Sequence, residues 1–356
     1  MKKTTSTILA VRLRQLGDVL ATLGTLRAIK RAAPDKRLVF MVDAHYHDLL
    51  ENVPFVDLLL PQPPKLAGVQ GLAHFTHFVE ELRGLEVDCV LDFHSNTRSA
   101  LLAWLSGAPV RIGFDVRLRK LLYTDVEPRA VFENGHKKAR TAHESAMALA
   151  RRCGVSDLKD DGYNTLAVSV EELATGKRAL LASGVGDEHG LPQAVVGINP
   201  GNPYPAKAWP EASFVELARR LVASGKSVVV LWGPGERQRA DAITAGAGKG
   251  VTIAPAMPLK AMPGFVSHMA QIVTIDSGLK HLAVAVGVPT VTLFGPTHPE
   301  EWHMGGERDR YLYENLSCSP CRLLVCPFGD HPCMTRIAPD TVLDAVAAID
   351  QQAAIQ

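Results

Sequence analysis

A few carboxylates, two lysines and a histidine stand where they could do chemistry. The densest group is Asp276-Ser277-Gly278-Leu279-Lys280-His281. It follows a short β-branched run, 272–275, that reads as a buried strand. Behind it Leu279, Leu282, Ala283 and Val286 recur at helical spacing, Gly287-Val288-Pro289 ends the helix, and 290–294 reads as a second strand. In such a β-α-β unit ligands collect beyond the carboxyl ends of the strands. Asp276, Ser277, Gly278, Lys280 and His281 fall at that rim, where free amides and the helix dipole favour a phosphate. A purely structural reading competes: Asp276 as a cap, Lys280 as its solvated i,i+4 partner, His281 as filler.

A second rim is expected near the N-terminus. A strand at 8–13 runs into Arg14-Gln15-Leu16-Gly17-Asp18 and a helix over 19–32. Gly17 lets a ligand or another backbone come close. Asp18 either caps the helix or acts as a base. Gly201 and Gly235 each follow a strand and could admit phosphates, and Glu236 opens the next helix. The loop through Asn202 carries Lys207, a point charge suited to a diphosphate or an ordinary surface lysine. There is no G-x-G-x-x-G fingerprint and no GKS or GKT P-loop, which argues against a dinucleotide dehydrogenase and a P-loop kinase. His45-Tyr46-His47-Asp48 has no common metal-site spacing and reads as a helix start.

The elements that must hold these residues alternate. Strands are expected at 38–42, 56–60, 87–93, 110–114 and 166–170, with helices at 73–82, 99–105, 143–153 and 171–182. The pattern restarts with strands at 194–198, 227–232 and 251–253 and a helix from Glu211 to 223. Such alternation gives an α/β architecture of doubly wound parallel sheets. At 356 residues two domains are the natural division, with the boundary in the Gly- and charge-rich stretch 183–192. The domains are therefore 1–185 and 186–356, with the final helix free to pack back on the first.

The composition, 47% hydrophobic and 21% charged, is that of a soluble globular protein. A net charge of +1 gives no reason to expect nucleic acid. No apolar run reaches the roughly 18 to 20 residues that span a bilayer, so no transmembrane segment is expected. Lys2 and Lys3 precede a stretch that Arg12 and Arg14 interrupt, so no signal peptide is read and the cytoplasm is expected. The segment 117–138 is basic and irregular, with Arg117, Arg119, Lys120, Arg129, Lys137 and Lys138. It is a solvated face or a surface for an anionic acceptor. Of six cysteines, Cys89 and Cys153 look like core residues. Cys318, Cys321, Cys326 and Cys333 have the density of a zinc or iron–sulfur site, and disulfides are not expected in the cytosol.

Several segments together resemble glycosyltransferase family 9, the ADP-heptose:lipopolysaccharide heptosyltransferases. They are RLRQLGDVLATLGTLRAIKRAAP, INPG, AKAWPE, LWGPGE, DSGLKHLAVAVGVPTVTLFGPTHPEEW and the tail CSPCRLLVCPFGDHPCMTRI. The match covers nearly the whole chain. The resemblance implies a GT-B fold, two Rossmann-like domains facing across a cleft. It implies an inverting transfer that needs no metal and no cofactor, so any metal on the cysteines would be structural. The donor would be ADP-heptose, bound by the C-terminal domain. The acceptor would be the lipopolysaccharide inner core at the cytoplasmic membrane face, Kdo-lipid A or its heptosylated form, met by the N-terminal domain. A peripheral place on the inner membrane fits that acceptor.

Residue by residue, Asp18 corresponds to the family's catalytic base and Lys207 to the lysine on donor phosphate. Asp276 matches the aspartate holding heptose hydroxyls, with Ser277, Gly278 and His281 beside it, and Glu236 an acidic residue near the nucleoside. Gly17, Gly201 and Lys280 join the expected donor-binding set. Lys280 stands where the family often has a small residue, and Pro258 and Pro263 interrupt the segment before it. Other readings remain: a GT-B-fold sugar-nucleotide 2-epimerase, a non-catalytic sugar-nucleotide binding module with no use for Asp18, or a family member with another acceptor glycan.

Overall fold

The computed structural model describes residues 6–63, 68–133, 136–138, 140–160, 162–163, 165–187, 189–192, 194–201 and 204–355, with backbone alone at 133, 136–138 and 355. Lys2, Lys3 and Asn202, and the side chains of Lys137 and Lys138, lie outside what is described. The chain divides into two compact units, Met1–Thr165 and Leu166–Gln356. The division falls ahead of the expected 185/186 boundary. The helix Val170–Ala182 belongs to the second unit because it packs on the segment Met262–Val266. The two meet at Gly176 and Gly264, where a Cβ on either would run into the other's backbone.

The first unit holds the strands β1 (Thr7–Val11), β2 (Arg37–Val42), β3 (Leu58–Pro61), β4 (Val87–Asp92), β5 (Val110–Phe114) and β6 (Asp125–Glu127). All pair in parallel, in the order β3-β2-β1-β4-β5-β6. A hairpin of β7 (Val131–Glu133) and β8 (His136–Lys138) follows. The stretch 117–138, expected to be irregular, is therefore a 3₁₀ turn (Arg117–Leu122), an edge strand and a hairpin. Its strands are three residues long, too short for an alternation to announce them.

The second unit repeats the plan with β9 (Val195–Asn199), β10 (Ser227–Val230), β11 (Val251–Ile253), β12 (Gln271–Ile275), β13 (Thr290–Phe294) and β14 (Arg310–Tyr313). The order is β11-β10-β9-β12-β13-β14, again all parallel. No strand forms at 166–170. Leu166 gives its amide to the Ala285 carbonyl instead, and Ser169 caps the helix Val170–Ala182 in a capping box with Glu172. The last helix, Pro339–Ile355, buries Val342, Val346 and Ile349 in the second unit's own core. Lys226 and Asp350 pair at 2.6 Å along it.

Both units are α/β layers whose central strands read as unbroken apolar runs because helices cover both faces. In each, strand order reverses between the first strand and the fourth. That reversal opens a crevice at the carboxyl ends of β1 and β4, and another at those of β9 and β12. Gly17 and Asp18 stand beside the first crevice, and Gly201, Asp276, Ser277 and Gly278 beside the second.

Candidate functional site

In the second unit Asp276 directly follows β12, with 4% of its surface exposed. Its Oδ2 accepts hydrogen bonds from Lys207 Nζ at 2.5 Å and Thr297 Oγ1 at 2.8 Å. Lys207 Nζ also donates to the Asp276 carbonyl at 3.2 Å. Lys207 reaches there from the 3₁₀ turn Pro205–Lys207, which follows β9. Burial works to raise the Asp276 pKa, but Lys207, Lys280 and His281 together hold it below the ordinary carboxylate value. The group is an anion clamped by cations.

The helix Gly278–Ala285 starts directly behind it, with Ser277 as N-cap and Gly278 as first residue. Ser277 Oγ receives the Asn199 side-chain amide at 2.9 Å, and Asn199 also donates to Thr274 Oγ1 at 3.1 Å. The Gly201 amide donates to Asn199 Oδ1 at 3.4 Å. Asn199 thus ties the rim of β9 to the rim of β12.

Gly201 has a further reason to lack a side chain. A Cβ there would overlap the carboxylate of Glu236. Glu236 lies just before the helix Arg237–Ala247 and its Oε2 accepts the Gly233 amide at 2.7 Å. Burial raises its pKa, against the pull of the Gly233 amide and Arg239.

Lys280 and His281 turn into the protein. The Lys280 ammonium donates to the Trp302 carbonyl and sits 5.6 Å over the Phe294 ring. Burial lowers its pKa to about 8, with Lys207 adding to the effect and Asp276 opposing it. His281 meets the Trp302 ring edge-on at 6.1 Å. Burial, then Lys280, lowers its pKa well below the usual histidine value. These two shape the field behind Asp276 from inside.

In the first unit the helix Leu16–Ala32 begins earlier than expected, so Gly17 and Asp18 lie in its first turn. Gly17 is buried. The Asp18 carboxylate pairs with Arg12 at 2.5 Å, and Arg12 also donates to the Phe93 carbonyl after β4. Arg12 therefore fixes the carboxylate at the crevice of β1 and β4. His94 is nearby and has its pKa lowered to about 4, by burial first and then by Arg12. Beside them a cavity of ≈ 280 Å³ is lined by polar groups, among them Arg14, Asp43, Gln62, Asn96 and Arg98.

The structure thus joins Lys207 with Asp276, Ser277 with the helix start, and Gly201 with Glu236. Sequence reasoning missed Thr297, Asn199 and Arg12, the groups that hold those residues in place. Thr297 follows β13 by three residues and Asn199 ends β9. Their one signal was a position just past a strand on the same rim. Among the described residues no three His, Cys, Asp or Glu side chains gather so as to hold a metal ion. Cys318, Cys321, Cys326 and Cys333 are free thiols, and burial raises the Cys333 pKa to about 11.

Two doubly wound units carry polar groups gathered at their switch points, the places where α/β folds hold ligands. The chain belongs to glycosyltransferase family 9 (heptosyltransferase), whose model matches residues 75–331. It is an enzyme of the glycosyltransferase class with the GT-B fold. It is 26% identical to lipopolysaccharide heptosyltransferase 1 of Pseudomonas aeruginosa, over 96% of this chain and 97% of that one. It is 25% identical to lipopolysaccharide heptosyltransferase 2 of Salmonella typhimurium, over 96% and 98%. Among solved structures it is similar to the ADP-heptose LPS heptosyltransferase II of E. coli, with a TM-score of 0.77 and 23% identity over 97% and 99% of the two chains. Among the described residues no helix is long and apolar enough to cross a membrane.

Proposed function

We propose that this protein transfers heptose from ADP-heptose to the lipopolysaccharide inner core, with inversion at the anomeric carbon and without a metal ion. One observation carries the reading: a buried carboxylate, Asp276, held by Lys207 and Thr297 at a helix N-terminus on a switch point. A departing ADP puts negative charge on its β-phosphate. Lys207 and the amides at the start of the helix Gly278–Ala285 take that charge. Asp276 faces the sugar, where a carboxylate both accepts hydroxyl hydrogen bonds and stabilises oxocarbenium character. Gly201 and Glu236 border the nucleoside.

Asp18 is the base. Inversion needs a group that takes the proton from the attacking acceptor hydroxyl, and Arg12 holds this carboxylate in one orientation. The polar cavity with Arg14 and Arg98 suits an acidic sugar as acceptor. The acceptor is Kdo-lipid A or its heptosylated form, met in the cytoplasm at the membrane surface.

The test is ADP release from ADP-heptose with and without Kdo₂-lipid A, for wild type and Asp18→Asn. Acceptor-dependent release that falls by a factor of about 10²–10⁴ in the variant, with ADP-heptose binding retained, is expected. Equal turnover by the variant removes Asp18 as base. Failure to bind ADP-heptose removes the donor. Donor binding without turnover moves the acceptor to a heptosylated core.

A further inference from the structure

The 3₁₀ turn Arg117–Leu122 repeats every three residues, so side chains three apart stand one above the other. Leu118 and Leu121 make one such stripe, exposed by 80% and 75% of their surfaces. Arg117 and Lys120, both exposed, make the stripe beside it, with Lys120 also reaching the exposed Asp115 carboxylate at 3.2 Å. The turn packs against the helix Thr97–Leu105. On that helix Leu101 and Trp104, again three apart on one face, are 38% and 52% exposed. Four exposed large apolar side chains and a row of two exposed cations therefore stand on two elements packed together in the first unit. An apolar patch of this kind, left uncovered, marks an interaction site.

We propose that this face docks on an anionic lipid bilayer. The proposal rests on the reading of the acceptor as lipid-borne and names the surface that meets that lipid's membrane. Leu and Trp side chains settle at the boundary of headgroups and acyl chains, while Arg and Lys at the same level meet the phosphates. A bilayer satisfies both stripes at once. A two-fold contact with a second copy would bring the same patch against itself, setting Arg117 and Lys120 close to their own counterparts. The covering charge must be negative, and an anionic headgroup layer supplies it continuously.

The test is sedimentation of the full chain with vesicles of equal parts phosphatidylglycerol and phosphatidylcholine, and with vesicles of phosphatidylcholine alone. Wild type is expected to partition onto the anionic vesicles, less so as salt rises. Leu118→Ser with Leu121→Ser should lower partitioning more than tenfold. Arg117→Ser with Lys120→Ser should lower it roughly fivefold per charge, as about 1 kcal/mol for each basic residue near the surface implies. All four positions are exposed, and thermal melts of the variants check that the fold is kept. ADP release on a deacylated, water-soluble acceptor should be unchanged in both variants.

Equal partitioning of wild type on the two vesicle types, or of the leucine variant and wild type, overturns the proposal. So does a dimer in solution that the leucine changes dissolve, because the face then belongs to a second copy. Vesicle binding that is lost in the variants, in a protein that does not turn over ADP-heptose, supports the docking face while removing the transferase reading.

Discussion

Replacing Lys207 by methionine removes one ammonium and little volume, and its cost follows from the Asp276 geometry. The lost Nζ lies 2.5 Å from Asp276 Oδ2 and 3.2 Å from the Asp276 carbonyl. Stripping one partner from a buried ion pair costs about 3–5 kcal/mol. Here the lysine side chain keeps 16% of its surface in solvent and Thr297 still donates to the carboxylate, so water and hydroxyl recover part of that. A loss of about 2–3 kcal/mol remains, which for a unit of this size lowers Tm by roughly 5–10 °C.

The pH dependence has a definite sign. The folded pKa of Asp276 lies below its ordinary value, so its contribution is present above about pH 4 and lost as pH falls through the folded value. The Tm gap between wild type and Lys207→Met should therefore close in acid. Calorimetry on Lys207→Met, Asp276→Asn and the double variant tests the pairing. The coupling between the two sites is expected to be about 1–3 kcal/mol. Additive single effects, or a Lys207→Met protein that melts with wild type at pH 7, would refute the argument.

Gly201→Ala should push the Glu236 carboxylate out of its place, since the new Cβ overlaps it. Because the far end of a flexible side chain yields, the stability cost should be about 1 kcal/mol. Calorimetric titration should find ADP-heptose affinity several-fold weaker, whereas unchanged affinity would separate Gly201 from the donor site. Lys280 gives a second pH signature. Its folded pKa of about 8 lies below the unfolded value near 10.4, so between those pH values the unfolded chain binds more protons and stability rises with pH. Wild type should gain Tm relative to Lys280→Met from pH 8 to 10, and a flat difference would contradict the buried ammonium.

The amino-acid sequence alone specified the alternation of strands and helices and the rims on which chemistry could sit. Runs such as 272–275 followed by a turn and apolar residues at helical spacing carry a local periodicity, and periodicity survives in one dimension. Asp276, Ser277, Gly201, Lys207 and Asp18 were legible for the same reason, as polar or small residues just past an apolar strand. The resemblance to family 9 rested on those same segments, and the family match covers most of them.

Short elements at the edges of the sheets were not legible. β6 and β14 are edge strands with mixed exposure, and 166–170 looks like a strand although its Leu166 amide pairs with a helix carbonyl. The partners of the site residues were not legible either. Lys207 and Asp276 are 69 positions apart, Asn199 and Ser277 are 78 apart, and only the parallel pairing of β9 with β12 brings them together. Whether Lys280 meets solvent or the Trp302 carbonyl depends on which side of its helix the sheet covers. Hydrophobic spacing sets which residues reach a rim. Hydrogen-bond and ion-pair partners are set by strand order, a property of the folded sheet with no counterpart in local sequence.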